Sequence, residues 1–540
     1  MTITLTFHGA CATVTGSCYE LRTSRAAVLI DCGMFQGTKT IKALNYEAFN
    51  FTPSELHAVV LTHAHIDHCG LIPKLTSRGY RGSIYATPGT ADLLTYILPD
   101  SAYVQETEVS RLNIRNRQRG LPAVEPIYTQ QDAHNALAQV RGQKYDTWFT
   151  LAPGIEARFW DAGHILGSAS VELRVTDTPT GKGAEPLSIL FSGDIGPSDK
   201  AFHDDPKAPT GMDYLLMEST YGDRLRPTRN NEQRLQILER EIKTAIKKGG
   251  MILMPAFAVE RTQELLFDLD TLIDSKRIPE LPIFVDSPLA TNATKVFAKH
   301  LDDRANTQNT NAFQRHNIRY VGTTEESKRL NRLRGGAIIM AGSGMCDAGR
   351  IRHHLKAHLS RSDTTVILAG YQAPATLGRL LHDGEKMVRI HGEEIAVAAR
   401  IRMLDEYSGH ADQRHLLTWF DQRLPLGQQL FLVHGEESAR AQMVELLSAR
   451  GLARKDIRMP VIGETVRLTK SEGAKTIRVR TTIQPGDAQR DWHNDYAATV
   501  IALKQKLSGL ESDQQRKTLL RRVEKQMRAP ERNFKRKRRR

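Results

Sequence analysis

Short runs of Val, Ile, Leu and Phe alternate with polar segments through the first 225 residues. Runs that are apolar throughout are typical of strands in a sheet that is covered on both faces. This pattern predicts strands at residues 26–30, 58–62, 187–191 and 214–217. We therefore expect sheets flanked by short helices in this part of the chain.

The pattern changes after residue 225. Residues 231–248 carry apolar side chains at helical spacing among charges, and Gly249 and Gly250 separate them from the apolar run 251–254. A further helix is predicted at 260–272, and further strands at 283–285, 337–340 and 365–368. Strands that alternate with helices favour a parallel, Rossmann-like α/β unit.

Length and composition indicate a soluble globular protein. The 540 residues suffice for two or three domains, and 40% are apolar against 25% charged. No apolar run reaches the ~18 residues of a membrane helix. Because residues 1–7 read as a strand without a basic segment, we expect no signal peptide. The five cysteines form no close-pair metal pattern, and an odd count in so long a chain favours a reducing cytoplasm. Since no membrane helix is predicted, no membrane partner is expected.

Positive charge is concentrated at the C-terminus. Residues 516–540 hold thirteen Lys or Arg and two Glu, so this tail carries +11 of the formal net charge of +14. Such blocks bind polyanions without sequence preference, because each neutralised phosphate releases counterions. We expect the tail to bind RNA or to attach the protein to a ribosome or another ribonucleoprotein. The alternative is a solvated tail that only aids solubility. Two amphipathic helices are predicted before it, at 495–509 and 513–527.

The segment His63-Ala64-His65-Ile66-Asp67-His68 offers three imidazoles and a carboxylate directly after a predicted strand. These are ligands of the kind that hold zinc for hydrolysis. Helix positions two apart do not share a face, and a straight strand would put His68 opposite His63 and His65. We therefore expect a tight loop at the end of the strand.

Further groups of the same chemistry follow other apolar runs. The predicted metal ligands are His63, His65, Asp67, His68, His164, Asp194 and His434. Seven ligands exceed one tetrahedral zinc and suit two metals about 3.5–4 Å apart, with a bridging carboxylate. A structural zinc site would more often show paired cysteines. We interpret Cys69 as a small buried thiol, with a ligand role as the alternative.

This pattern resembles the metallo-beta-lactamase superfamily, whose motifs also include Asp31 in the segment 29–33. More narrowly, it resembles the beta-CASP nucleases, which process RNA or DNA. Glu218 is similar to their acidic motif A, His410 to motif B and His434 to motif C. In this family a histidine at motif C accompanies RNA substrates. The resemblance covers roughly residues 1–465 and is nearest to short prokaryotic relatives of the polyadenylation-factor endonuclease.

The resemblance implies an α/β fold, a metallo-beta-lactamase αββα sandwich with an inserted Rossmann-like beta-CASP domain and a helical, basic C-terminal extension. The boundaries that we predict are 1–225 and 386–470 for the two parts of the sandwich, 226–385 for the insertion and 471–540 for the extension. Ligand-type residues stop before the second α/β unit and return after it, which agrees with an insertion. Clefts between domains are favoured binding places, so single-stranded RNA is expected there.

Roles for these residues follow from the resemblance. His63, His65 and His164 would hold one zinc ion, and Asp67, His68 and His434 the other. Asp194 would bridge the two, and manganese is an alternative metal. Asp31 would orient a metal-bound imidazole from behind. Asp67 and Asp194 count as catalytic as well as metal-binding. The expected reaction is the zinc-dependent, endonucleolytic hydrolysis of RNA phosphodiester bonds by a metal-activated hydroxide.

His410 is the candidate general acid for the leaving 3′ oxygen, with Glu218 orienting it and raising its pKa. The alternative is that His410 only touches a substrate phosphate. Ser343, Gly344, Gly349, Arg350 and Arg379 are predicted to bind substrate. The reason is that Gly-Ser-Gly before a helix exposes backbone N–H groups and that arginine grips phosphate bidentately. A structural turn is the alternative there.

Three other functions compete with this one. A small-molecule hydrolase shares the metal ligands but has no use for the insertion, Glu218, His410 or the basic tail. An inert nucleic-acid binder would have lost ligands. A DNA nuclease of the same family stays open, because the 2′-OH separates RNA from DNA and no residue identifies a contact to it. The oligomeric state is open between a monomer and a homodimer.

Overall fold

The computed structural model describes residues 3–177, 185–198, 200, 203–227, 230–302, 310–373, 376–480, 503, 506–507, 510 and 512–527. The chain forms two compact units. The larger consists of residues 1–36 and 45–482, and the smaller of residues 37–44 and 483–540. The three large sheets belong to the larger unit.

The first sheet has eight strands and is partly parallel. Its strands are β1 (Ile3–Phe7), β2 (Tyr19–Arg22), β3 (Ala27–Ile30), β4 (Ala58–Val60), β5 (Ser83–Ala86), β6 (Val140–Gly142), β22 (Glu464–Leu468) and β23 (Lys475–Val479). They lie in the order β23-β22-β1-β2-β3-β4-β5-β6. Pairing is parallel from β3 to β6 and antiparallel elsewhere. The carboxyl ends of β3 and β4 therefore lie side by side.

The second sheet has seven strands. They are β7 (Phe149–Ala152), β8 (Ile155–Asp161), β9 (Ala169–Val175), β10 (Leu187–Phe191), β11 (Tyr214–Glu218), β20 (Gln429–Val433) and β21 (Ile457–Arg458). Their order is β21-β20-β11-β10-β9-β8-β7, and β11 pairs in parallel with both β10 and β20. The strands predicted at 187–191 and 214–217 are confirmed as β10 and β11.

A third, six-stranded sheet is built from the chain between β11 and β20. Its strands are β12 (Ile252–Pro255), β13 (Ile283–Val285), β14 (Ile318–Tyr320), β15 (Ile338–Ala341), β16 (Thr365–Ala369) and β19 (Arg400–Leu404). Every pairing in it is parallel, in the order β14-β13-β15-β12-β16-β19, which confirms the parallel α/β unit. A separate hairpin pairs β17 (Met387–Ile390) with β18 (Glu393–Ala396).

The six-stranded sheet continues past residue 385, where the inserted domain was predicted to end. Its last strand, β19, is not an apolar run, because it contains Arg400 and Arg402. Both arginines pair with the buried carboxylate of Glu241. A strand that buries charge in this way carries a weak signal in the hydrophobic pattern. The partner that makes these arginines compatible with a sheet lies about 160 residues earlier in the chain.

Helices cover the sheets. The α-helices of the larger unit are α2 (Ile66–Cys69), α3 (Ile72–Ser77), α4 (Pro88–Gln118), α5 (Gln130–Leu137), α6 (Asn231–Lys248), α7 (Arg261–Asp274), α8 (Pro288–Asp302), α9 (Thr324–Leu330), α10 (Ile351–His358), α11 (Leu377–His382), α12 (Gln413–Asp421) and α13 (Glu437–Ala449). The smaller unit contains α1 (Lys39–Ala43) and a helix at Asp513–Met527. Within the described ranges, no helix combines the length and apolar character that crossing a membrane requires.

The bounds of α6 follow from local chemistry. Asn230 and Gln233 form a reciprocal capping box at its start, and Gly249 ends it with a positive φ of 74°. The predicted helix at 231–248 is therefore confirmed to the residue. The predicted helix at 513–527 is also found, whereas the one at 495–509 lies, apart from residues 503, 506 and 507, outside the described residues. The basic tail from residue 528 onward lies outside them too.

One apolar core joins the first and third sheets through their helices. It runs from Val59 on β4 through Leu94 on α4 to Leu269 on α7 and Phe297 on α8, all buried. On the surface above it, Asp92 of α4 pairs with Lys299 and His300 of α8. The six-stranded sheet is therefore packed against the rest of the larger unit through a shared core, which keeps the groups between them in fixed positions.

Candidate metal centre

The predicted ligands come together at the ends of strands from two different sheets. His63, His65, Asp67 and His68 follow β4 of the eight-stranded sheet, whereas His164, Asp194 and His434 follow β8, β10 and β20 of the seven-stranded sheet. Within the described residues, His63, His65, His164 and Asp194 place one ligand atom each within 4.8 Å of one another, and Asp67, His68 and His434 do the same.

The segment after β4 is only partly the loop that its spacing predicted. Ile66–Cys69 is one turn of α-helix, with His65 immediately before it. This turn lies against the segment after β3, where Cys32 N–H donates to His68 O at 2.8 Å. A Cβ on Gly33 would come within 1.7 Å of Asp67 O, so the approach requires glycine. The expectation of a loop was wrong for these four residues because tertiary contacts stabilise a turn too short to give a periodic signal.

Three imidazoles and Asp194 form the first group. His65 Nδ1 lies 3.1 Å from His63 Nε2 and 3.1 Å from His164 Nε2. Asp194 Oδ2 lies 3.5 Å from His63 Nε2 and 3.6 Å from His164 Nε2. Burial lowers the pKa of His63 and of His164 well below the usual value, and that of His65 to about 4. These three rings are therefore neutral at neutral pH, which is the form that binds metal.

The second group faces the other oxygen of Asp194. His68 Nε2 lies 3.1 Å from His434 Nε2, which lies 3.6 Å from Asp67 Oδ2. Asp194 Oδ1 lies 3.2 Å from His68 Nε2 and has no hydrogen-bond partner among the described residues. Burial lowers the pKa of His68, but Asp194 and Asp31 outweigh it and raise that pKa well above normal. A cation binding here would displace this proton.

The donor set fits divalent metal ions. Burial alone would raise the pKa of Asp194, yet the surrounding imidazoles, His434 first, hold it well below the usual range. An ionised, buried carboxylate between two groups of imidazole nitrogens is the kind of donor set that divalent cations such as zinc bind. The described residues therefore form a metal-binding site.

Backbone and side-chain acceptors behind the rings set their orientation. Asp31 Oδ2 accepts from His68 Nδ1 at 2.7 Å, and its Oδ1 accepts from Thr62 N–H at 2.8 Å. His164 Nδ1 lies 2.8 Å from Gly409 O, so that nitrogen donates. Both rings therefore direct Nε2 into the cluster. At His68 that nitrogen would give up its proton to a bound cation.

His410 and Glu218 lie beside the first group. His410 Nδ1 is 3.3 Å from Glu218 Oε1 and 3.8 Å from Asp194 Oδ2. Glu218 is fully buried and accepts from Ile195 N–H at 2.6 Å, so it is held as an acceptor behind His410. Burial lowers the pKa of His410, but the charges of Glu218 and Asp194 raise it overall.

The predicted substrate-binding residues lie in a compact turn after β15 and at the start of α11. Arg350 donates to Asp286 Oδ1 at 2.6 Å and to the carbonyls of Val321 and Gly322, which favours the structural alternative for this side chain. Arg379 pairs with Asp383 at 2.8 Å on the surface of α11.

The other three predicted substrate-binding residues, Ser343, Gly344 and Gly349, shape the turn itself. Ser343 Oγ accepts from Ala348 N–H at 3.1 Å, and Gly349 has a positive φ of 75°. A Cβ on Gly344 would lie 2.7 Å from the ring of Phe257, so glycine allows that ring to pack there. The exposed N–H groups that were expected to bind phosphate stay a prediction.

Several groups at the centre have no signal in the sequence pattern. Thr62, which bonds Asp31, reads as an ordinary β-branched strand residue, and Gly409 acts through its carbonyl. Thr220, whose Oγ1 lies 3.0 Å from His434 Nδ1, is part of the Glu218 segment but offered no ligand chemistry of its own. Cys69 is buried and donates its Sγ–H to Ala64 O, as expected for a thiol outside the ligand set.

Two sheets between helices, with a metal-binding site at the strand ends, define a class of α/β metal-dependent hydrolases, and comparison with known families gives the same class. The family model described as "Metallo-beta-lactamase superfamily" matches residues 12–170, and the model described as "Beta-Casp domain" matches residues 262–381. A third family model, described as "Zn-dependent metallo-hydrolase RNA specificity domain", matches residues 394–460.

Individual relatives match most of the chain. The chain is 37% identical over 466 residues to Ribonuclease TTHA0252 of Thermus thermophilus, covering 85% of this chain and 98% of the relative. It is 31% identical over 438 residues to the RNase J-like protein of Methanocaldococcus jannaschii, covering 80% and 93%. It is 29% identical over 458 residues to Transcription termination factor FttA of Methanosarcina mazei, covering 81% and 67%. The chain belongs to the metallo-beta-lactamase superfamily and to its beta-CASP group.

Proposed function

We propose that this protein is a zinc-dependent endoribonuclease that hydrolyses RNA phosphodiester bonds at a pair of zinc ions. The observation that carries the proposal is the position of Asp194, whose two carboxylate oxygens face two separate groups of ligands. A small-molecule hydrolase of the same superfamily needs those groups but not the adjoining pair of His410 and Glu218. The names of two relatives as ribonucleases favour RNA over DNA.

In this proposal His63, His65 and His164 would hold one zinc ion, and Asp67, His68 and His434 the other. Asp194, which faces both groups, would be a ligand that they share, and manganese is the alternative metal. When bound, two such ions lower the pKa of water toward ~7 and offset negative charge on the reacting phosphate. Asp31 keeps the proton of His68 on Nδ1, away from the metal side, and Gly409 O does the same for His164.

His410 is the proposed general acid. Its Nδ1–H faces Glu218, so Nε2 carries the proton that passes to the leaving 3′ oxygen. The net rise in its pKa favours the imidazolium at neutral pH. Because Glu218 is buried and held by Ile195 N–H, it orients the imidazole without itself reaching the substrate.

Aromatic and cationic side chains beside His410 support a single-stranded substrate. Tyr221 lies 5.8 Å from the His410 ring and 6.1 Å from the ring of Tyr371, measured between centroids. The guanidinium of Arg224 lies over the Tyr371 ring at 4.4 Å. Unpaired bases stack on such planes, and the cluster spans the end of β11 and the loop after β16 of the six-stranded sheet. RNA would therefore enter between these two parts.

The basic tail provides a second contact in the proposal. Residues 516–540, with a net charge of +11, would bind the RNA backbone or attach the enzyme to a ribosome or another ribonucleoprotein. The proposed place of action is the cytoplasm, and the oligomeric state stays open between a monomer and a homodimer.

The test is a cleavage assay on matched single-stranded RNA and DNA, labelled at either end, with zinc or manganese added. Internal cuts in RNA are expected, and His410→Ala should lower the rate about 10²–10⁴-fold while bound metal stays at the parental level. The control is His382→Ala, which removes an exposed histidine paired with Asp383 and should cut like the parent.

Three results would contradict the proposal. Cutting of DNA but not RNA would assign a DNA nuclease, and release of single nucleotides from one end would assign an exonuclease. A His410→Ala variant as active as the parent would remove the acid role.

A further inference from the structure

Glu260, in the residue position before α7, has a backbone conformation that side chains rarely adopt. Its φ is 71° and its ψ is −60°, and Arg261 N–H donates to Val259 O at 2.9 Å across it. This is a γ-turn of the rare, strained kind, with a glutamate at its centre. Such a conformation persists only where surrounding contacts hold it, and it is often found at functional sites.

The Glu260 carboxylate supplies those contacts, and they all cross to the seven-stranded sheet. Oε2 accepts from Leu166 N–H at 3.1 Å. Oε1 lies 2.6 Å from His203 Nε2 and 3.5 Å from Lys200 Nζ. Burial would raise the pKa of Glu260, but His203 and Lys200 lower it to about 2, so the side chain is ionised at neutral pH.

These partners hold the loop that carries His164. Lys200 Nζ donates to the carbonyl of His164 itself at 2.6 Å, and Leu166 follows two residues later. On its other side the loop is held within its own sheet, where His164 N–H donates to Ser168 Oγ at 3.0 Å. One carboxylate from the chain of the six-stranded sheet therefore restrains the His164 loop in two ways. It accepts directly from Leu166 N–H, and it pairs with Lys200, which donates to His164 O.

The next residue, Arg261, reaches toward the other side of the same ring. Its Nη1 donates to Ala369 O at 3.0 Å, and its Nη2 lies 4.0 Å from where a Cβ on Gly409 would stand. Gly409 O accepts from His164 Nδ1. Glu260 and Arg261 thus lie near the two backbone segments that hold His164, which are its own loop and Gly409.

We propose that Glu260 is a positioning residue for the metal ligand His164, so that the inserted domain helps to build the first metal group. The inference rests on the metal centre of the proposed function. This role also explains the γ-turn, because the strained backbone directs the Glu260 carboxylate toward Leu166 and Lys200.

The test is the rate at which the zinc-loaded protein releases its metal to a chromogenic chelator. Glu260→Gly suits it best, since glycine adopts a φ of 71° without strain and the fold should be kept while the carboxylate is lost. We expect the glycine variant to release zinc from the first group about tenfold faster than the parent. This is the lower end of the range of effects seen when residues that support metal ligands are changed. Glu260→Gln, which keeps the volume of the side chain, should release zinc at a rate between the parent and the glycine variant.

Asp268→Asn is the matched control on the same helix. Asp268 is buried and held by Arg234 at 2.8 Å and by Tyr407 at 2.6 Å, away from the His164 loop. This variant should be less stable than the parent but should release zinc at the parental rate. In cobalt-substituted protein, the visible absorption should change for Glu260→Gly and not for Asp268→Asn, since it reports ligand geometry and not stability.

The outcomes separate this inference from the proposed function. A parent that binds no metal would end both. A parent that holds zinc, with both Glu260 variants folded and matching its release rate and cobalt spectrum, would overturn the positioning role of Glu260 and leave the nuclease proposal standing.

Discussion

Asp31 decides which nitrogen of His68 faces the metal centre. It is fully buried, with a positive φ of 59° that aspartate tolerates better than most side chains. One oxygen holds His68 Nδ1 and the other is held by the backbone of Thr62. The ring is thereby held in one orientation, with Nδ1 toward Asp31 and Nε2 toward the cluster, before any cation arrives, which reduces the cost of forming the site.

Asp31→Ala should therefore weaken metal binding about 10–100-fold, because the His68 ring loses its restraint. Competition with a chelator of known affinity measures this directly. Glu172→Gln is the control, since Glu172 is a buried carboxylate that holds Arg158 and Trp160 instead of a ligand. Equal affinities for Asp31→Ala and the parent would show that His68 needs no such partner.

Gly409 is restricted by space. A Cβ at this position would lie 3.1 Å from His164 Cε1, so Gly409→Ala should shift His164 or the adjoining His410 by a few tenths of an ångström. We expect kcat to fall about tenfold or more while KM and the unfolding midpoint change little, since small misplacements at a reacting centre are costly.

The control for that substitution is Gly322→Ala. Its Cβ would meet only a glutamate oxygen at 3.9 Å. Full activity of Gly409→Ala would mean that the ring adjusts without loss.

At this scale the sequence predicts ligand-type side chains well and their supports poorly. The segment from His63 to His68 is visible because its chemistry is dense and local. The sequence left the role of Arg350 undecided between phosphate binding and a structural contact, because its partner, Asp286, lies 64 residues away in sequence. Supports such as Gly409 O act through the backbone, which every residue type shares.

Among the elements, apolar strands were easiest to predict and short or charged ones hardest. β10 and α6 occur at the predicted residues because each combines a full periodic run with clear end signals. α2 is a single turn and β19 carries paired arginines, so neither follows the pattern on which the prediction depends. Both are stabilised by contacts with distant segments of the chain.

A buried network at the end of β13 shows how such contacts hold the six-stranded sheet. Asp286 is fully buried and accepts from Ser327, from Arg350 at 2.6 Å and from His354 Nε2 at 2.7 Å. It therefore connects the start of α10 to α9 and β13. Burial raises the pKa of Asp286, but these three partners outweigh it and lower the pKa overall.

Asp286→Asn should destabilise the protein by about 3 kcal/mol at neutral pH, since it leaves Arg350 and His354 without their anion. Because the folded pKa is depressed, the stability that Asp286 contributes is present above the unfolded value of ~3.9 and is lost as pH falls through the folded pKa. The difference between variant and parent in urea unfolding should therefore be constant from pH 7 to about pH 5 and should shrink as the pH falls through ~3.9 and below.

Asp383→Asn serves as its control. Asp383 also pairs with an arginine, but on the surface of α11, so its removal should change the unfolding midpoint little. A difference between Asp286→Asn and the parent that stayed constant with pH would show that the carboxylate charge is not what matters.

In the whole molecule, the metal centre joins two sheets. Four of its residues follow the eight-stranded sheet and three follow the seven-stranded sheet. Removing bound metal should therefore lower the thermal unfolding midpoint, because a ligand that binds only the folded state adds about 4 kcal/mol at a thousandfold excess over Kd.

Calorimetry before and after chelation measures this, and added zinc should restore the midpoint. Asp194→Asn should be nearly insensitive to chelation, whereas His382→Ala should respond like the parent. An unchanged midpoint in the parent would mean that the sheets are held together without the metal.

Deleting residues 516–540 should weaken RNA binding and reduce its salt dependence, with little change in the rate of the chemical step. For single strands each lost phosphate contact lowers the slope of log K against log[salt] by about 0.7. Binding measured at several salt concentrations tests this, and a flexible neutral segment of equal length is the control. An unchanged slope would exclude the tail as an RNA contact.

The neighbouring positions of β11 and β20 have a consequence for the newborn chain. β11 ends at Glu218, and the strand that covers its open side does not begin until Gln429. While the ribosome makes the residues in between, the six-stranded sheet can form, but β11 stays an edge with unsatisfied hydrogen bonds. The His434 ligand is also missing until then. Nascent protein halted before that point should therefore bind metal incompletely and aggregate, so the synthesis of β20 and His434 decides whether the metal centre can be completed.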